Sequence, residues 1–126
     1  ALEPHVKTLS WKTTQDIISL FKESCPITLE GRIDEKKMKN YEKIEDNHNI
    51  IPNLKQLLCT PLDLSVYVIW NDAEIPSIQT HLHAVTENFD DVSCVAPDMW
   101  FFNIVQEYVV EFHHSYGLAV GIIPNT

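Results

Sequence analysis

The chain has 126 residues, of which 44% are hydrophobic, with 7 Pro and 3 Gly. That is the size of one domain that buries roughly two-thirds of its unfolded surface and needs no metal or disulfide staple. Eighteen acidic residues against nine basic ones give a net charge of −9, which argues against the nucleic-acid backbone and anionic lipid as partners; no apolar run approaches the ~20 residues of a membrane-spanning helix.

Thr13–Glu23 places Ile17, Ile18, Leu20 and Phe21 at helical spacing, with Thr13 or Thr14 as N-cap, and predicts an amphipathic helix ending before Pro26. From Glu30 to Asn49 the chain is mostly charged, with Ile33, Met38, Tyr41 and Ile44 as regularly spaced apolar residues, and reads as a solvated helix or a connector. Pro52 starts a short helix through Leu54, Leu57 and Leu58, closed by Pro61. Leu62–Trp70 is a β-branched and aromatic run of the kind found in strands covered on both faces. After the acidic turn Asn71–Pro76, the residues Ile78, Leu82, Val85 and Phe89 recur at helical intervals with Ser77 as N-cap, predicting a second amphipathic helix. Met99–Val105, Tyr108–His113 and Leu118–Ile123 read as an antiparallel meander with turns at Gln106-Glu107 and before Gly117. The expected fold is a single α+β domain over residues 1–126, with a mainly antiparallel sheet and helices packed on one face. Residues 1–55 form its charge-balanced helical part and 62–123 its acidic strand-helix-meander part.

The sequence offers little chemistry. His81 and His83 are two apart and diverge on a helix, while His113 and His114 point to opposite faces of a strand unless the pleat breaks between them, so no metal site is expected. Cys94, in a loop before Pro97, reads as a small buried hydrophobe in preference to a nucleophile near His113 or His114, because nothing nearby supplies the positive charge that would lower its pKa. Three glycines leave no room for a phosphate-cradling loop. The aromatic residues of 99–102 face alternate sides, so either both sheet faces are covered or one presents an aromatic patch to a partner.

The charge distribution is more informative. All nine basic residues lie at or before Lys55 and balance the nine acids there, among them Glu3, Glu23, Glu35 and Glu42. Residues 56–126 carry nine acids and no Lys or Arg, a pattern that favours electrostatic steering of a basic partner over plain solubility. Three cysteines without CxxC spacing and no signal-peptide pattern predict a reducing cytoplasm. The first residue is Ala1 rather than Met, which leaves the native start open.

The run from Trp70 to Pro76 (WNDAEIP), the Ile78, Leu82, Val85 series followed by Asp90-Asp91-Val92, the Asp98-x-Trp100 motif, and Tyr108 to His114 (YVVEFHH) before Gly117 carry a resemblance. Over about residues 62–122 the chain is similar to the immunity proteins of bacterial contact-dependent growth inhibition systems. The resemblance implies a cytoplasmic, non-enzymatic protein without cofactor that binds the C-terminal toxin domain delivered by a neighbouring cell. Many such toxins are nucleases with basic grooves, which suits an acidic inhibitor, and the expected target is a ribonuclease blocked at its basic active site. The contacts it points to are Asp72, Glu74, Asp90, Asp91, Asp98 and Glu107, with Trp100 and Tyr116 as aromatic anchors; nucleic acid and membrane are not expected partners. Two rivals stay open: an acidic secretion chaperone or adaptor, and a small hydrolase using His, Cys and Asp side chains.

Overall fold

The computed structural model describes residues 6–72 and 74–124; Ala1, Glu3 and Ala73, which figure in the sequence reading, lie outside the described residues. The elements in chain order are β1 (Lys7–Thr8), α1 (Trp11–Ser24), β2 (Asn40–Ile44), α2 (Ile50–Leu58), β3 (Ser65–Trp70), β4 (Ile78–His81), α3 (Leu82–Glu87), α4 (Phe89–Ser93), β5 (Asp98–Asn103), β6 (Tyr108–His113) and β7 (Gly117–Ile122). The strands form one antiparallel sheet in the order β1-β4-β3-β5-β6-β7-β2. The α+β class and the β5-β6-β7 meander are as the sequence reads.

The helices cover both faces of this sheet instead of one. Strand alternation sends Val68, Trp70, Met99, Phe101 and Val110 to a core shared with Leu54 of α2, Val85 of α3 and Val92 of α4. The intervening Ile69, Trp100, Phe102 and Val109 meet Ile17 and Phe21 of α1 on the other side. Central strands apolar on both sides cannot leave either side wet, and α1 supplies the second cover. Phe21 is its key, with its ring centroid 5.3 Å from those of both Trp100 and Phe102.

Three segments depart from the local structure their sequence predicts. The N-cap of α1 is Ser10, whose hydroxyl accepts from Thr13 N at 3.1 Å, while Thr14 is buried and accepts from Ser77 N at 3.0 Å. Ser77 is therefore a tie between α1 and the sheet, not a helix cap. Ile78–His81 is strand β4, paired with β3 from Ser65↔His81 to Val68↔Ile78, and the helix begins at Leu82. Ile78, Leu82 and Val85 still share one core, which is why their spacing mimicked a single helix. The charged segment is neither helix nor plain connector, since Asn40–Ile44 is an edge strand on β7 flanked by 3-10 turns at Glu35–Lys37 and Asn47–Asn49. Its Tyr41 packs against the α1 core and its Ile44 against the opposite one, while Glu42 and Lys43 are exposed, the composition of a protected sheet edge. Gly121 of β7 fits this edge closely, because a Cβ there would lie 2.8 Å from the Met38 Cε and 3.2 Å from the Asn40 carbonyl oxygen. Among the described residues no helix is long and apolar enough to cross a membrane.

Candidate functional site

The antiparallel register brings the β3-β4 loop, the start of β5 and the β6-β7 turn to one end of the sheet, since Trp70 pairs with Met99 and Asp98 pairs with His113, itself opposite Gly117. In the loop, Asp72 Oδ1 accepts from Glu74 N at 2.9 Å and the Asp72 carbonyl accepts from Ile75 N at 3.1 Å, an Asx-type turn that leaves both carboxylates exposed. Helix α4 is tied to the same end, because the Trp70 indole donates to the Val92 carbonyl at 3.0 Å. Its exposed Asp90 and Asp91 line a groove with Asn47, His48, Glu87, Asn88 and Phe89. The Asn47 amide donates to Thr86 O at 2.7 Å and joins the two walls of this groove.

The other expected contacts are placed differently. Glu107 lies in the β5-β6 turn with φ 58°, at the opposite end of the sheet; Asp98 to Asn103 alone spans about 17 Å of strand. Trp100 is only 6% exposed and faces the α1 core, with its indole donating to Glu111, so it is not presented as an anchor. Tyr116 is exposed, but the Arg32 guanidinium carbon sits 3.6 Å from its ring centroid, with Lys43 Nζ at 5.4 Å and the His113 ring at 4.9 Å. Its π-face is thus occupied by this chain's own cation.

Asp98 is not a free surface acid either. With its side chain 13% exposed, it accepts from His114 N at 3.1 Å and pairs with His114 Nδ1 at 2.9 Å, and His113 Nε2 stands 3.8 Å away. Burial acts to raise its pKa, but the His114 side-chain and backbone hydrogen bonds and the charges of both histidines outweigh it and hold the carboxyl below its ordinary value. The two histidine rings stack at 4.6 Å because β6 ends at His113 and His114 already belongs to the turn. The strand alternation that was expected to separate them stops there.

Glu111 was hidden in the sequence. It is 2% exposed and accepts from Ile33 N at 2.7 Å, the Tyr41 hydroxyl at 2.7 Å and the Trp100 indole at 2.9 Å. Burial, then the hydrogen bond to Glu111 and its charge, push the Tyr41 hydroxyl above its ordinary value against the opposing Arg32. Burial, followed by the same carboxylate, pushes the Cys25 thiol up to about 12. The available signal was one acid inside the apolar run Tyr108–Phe112. Among the described residues, every ion pair within 4.0 Å involves a histidine, so Asp72, Glu74, Glu87, Asp90 and Asp91 are not neutralised by Lys or Arg.

No curated protein matches the chain. The family described as CdiI immunity protein EcoliA0-like matches residues 1–121, including the first 60, which the sequence resemblance did not reach, and the chain belongs to this family of toxin-neutralising immunity proteins.

Proposed function

We propose that this immunity protein acts in the cytoplasm by capturing a basic, folded toxin domain of the nuclease class and covering its active-site groove, without doing chemistry itself. The observation that carries this reading is the set of exposed, unneutralised carboxylates Asp72, Glu74, Glu87, Asp90 and Asp91 borne by the β3-β4 loop and the α3-α4 segment. These two segments are joined through Trp70 and Val92. Carboxylates so arranged occupy the positions of substrate phosphates in a basic groove, and their summed field raises the rate of encounter. Asp98 is held by its histidines, Tyr116 is covered by Arg32, Trp100 is buried against α1, and Glu107 stands at the other end of the sheet, so none of these four is part of this surface.

The test is stopped-flow association with the cognate toxin domain. Steering predicts a rate that falls by roughly tenfold or more from low to physiological salt. A rate indifferent to salt overturns the electrostatic reading, and binding of the unfolded toxin in preference to the folded one favours a chaperone.

A further inference from the structure

We propose that Asp98, His113 and His114 form a binding site for a divalent transition metal of the zinc class. Among the described residues these three side chains bring one carboxylate oxygen and two imidazole nitrogens within 4.8 Å of one another. Their frame is fixed by the sheet. Asp98 and His113 are register partners on β5 and β6, the Asp98 carbonyl accepts from Asn71 N at 2.9 Å, and the Asp98 and His113 side chains are only 13% and 11% exposed. His114, 59% exposed, closes the cluster from the turn and leaves one side open to solvent.

The distances fit an ion. Donors held about 2.0–2.1 Å from a tetrahedral zinc lie roughly 3.3–3.4 Å apart. Asp98 Oδ1 stands 2.9 Å from His114 Nδ1 and Asp98 Oδ2 stands 3.8 Å from His113 Nε2, on either side of that value, so each imidazole faces its own oxygen of the carboxylate. The longer gap exceeds a hydrogen bond, so direct contact does not satisfy His113 Nε2 there. Two imidazoles and a carboxylate with an open fourth position form the donor set of an accessible zinc site, while magnesium and calcium prefer all-oxygen cages.

Two contacts must yield: the 2.9 Å hydrogen bond between His114 Nδ1 and Asp98 opens as the ion takes both atoms and that ring proton shifts to Nε2, and a second contact goes at His113. Ser115 N donates to His113 Nδ1 at 3.1 Å, which places the ring proton on Nε2. An ion on Nε2 moves that proton to Nδ1 and displaces the Ser115 amide, and Ser115 lies exposed in the turn, where the backbone gives way at little cost. Arg32 and Lys43, gathered on the Tyr116 ring beside His113, oppose a dication, whereas Asp98 favours it. The site does not depend on the toxin reading.

The experiment uses the chelator-treated full chain. Zn2+ followed by calorimetry is expected to bind at one saturable site, Co2+ to give d–d absorption of a low-coordinate N/O site, and the Ser115 amide and His113 ring nitrogens to shift in NMR spectra on Zn2+ addition. His114→Gln, at an exposed position, is expected to weaken Zn2+ binding at least roughly tenfold, the loss typical of even the outer partners of a metal ligand. Asp98→Asn, with circular dichroism as folding control, is expected to do the same. His48→Gln is the control, because His48 stands 3.3 Å from Asp46 but without a second histidine, and it is expected to change nothing. Equal affinity in wild type and His114→Gln, loss of binding in His48→Gln, or an unmoved Ser115 amide at saturating Zn2+ overturns the proposal.

Discussion

The indole nitrogen of Trp100 donates to the carboxylate of Glu111, its partner across the β5-β6 ladder, at 2.9 Å. The same carboxylate holds Ile33 N from the loop before β2 and the Tyr41 hydroxyl from β2 itself, so one side chain fastens two outlying segments to the central sheet. Glu111→Ala strands these donors. It is expected to lower unfolding stability by about 2–4 kcal/mol, from the cost of unpaired buried groups. Tyr41→Phe removes one bond at a half-buried position and should cost about 1 kcal/mol. Urea titration followed by Trp fluorescence measures both, and an Ala variant as stable as wild type shows that the carboxylate is not a fastener.

Charge reversal separates the two ends of the sheet. Asp72→Lys, Glu74→Lys, Asp90→Lys and Asp91→Lys are expected to slow association with the toxin domain by roughly three- to tenfold each. Glu107→Lys at the far end, and Glu23→Lys, Glu35→Lys and Glu42→Lys in the charge-balanced half, should leave it within about twofold. Rate constants at fixed ionic strength, with far-UV circular dichroism for folding, decide between this map and a uniform effect of net charge.

Thiol labelling tests the burial pattern. Cys59 and Cys94 are exposed, the latter against the burial expected from its sequence, whereas Cys25 is buried with its pKa pushed up to about 12. Since the thiolate is the reactive form, two thiols are expected to react with a disulfide reagent in the native protein and the third only on unfolding. Three fast equivalents contradict the packing of α1.

Stability is expected to fall at both extremes of pH. The folded Asp98 carboxyl lies below its ordinary value of 3.8, so its contribution is present above that value and is lost as pH falls through the lower folded one. Burial, and next the charge of Asp63, raise the Tyr108 hydroxyl above its ordinary 10.0, so its contribution is full below 10.0 and is lost as pH rises through the folded value. Asp98→Asn should flatten the acid limb of a melting profile and Tyr108→Phe the alkaline limb; limbs unchanged by these variants assign the pH dependence to other groups.

The strands rich in Val, Ile and aromatic residues were legible because burial on both faces writes itself into consecutive side chains, as in Ser65–Trp70 and Met99–Phe102. Strand β2 was not, since an edge strand exposes Glu42 and Lys43 and hides its two apolar contacts on opposite faces. The β4-α3 junction resembles one helix in sequence because both elements feed the same core. At the candidate site, exposure of Asp72, Glu74, Asp90 and Asp91 followed from their turn and helix-end positions. The enclosure of Asp98 by two histidines depends on where β6 stops, and that of Trp100 depends on α1 lying on its face. Neither is fixed by local spacing.

Both outermost strands, β1 and β2, come from the first half of the chain, and their partners β4 and β7 come from the second. Among the described residues before β3, the sole pairing that does not wait for later sequence is the isolated bridge between Ile27 and Ile33. During synthesis, Asn40 leaves the ribosome 82 positions ahead of its partner Ile122 (122 − 40), on the order of 4–16 s at ordinary elongation rates. The nascent first half therefore emerges without its ladder: β1 waits for β4, and the β2 border waits for β7, the last strand in the chain. Long-range closure of this kind is slow; newly made chains acquire protective capacity with a delay set by topology rather than by the rate of translation alone.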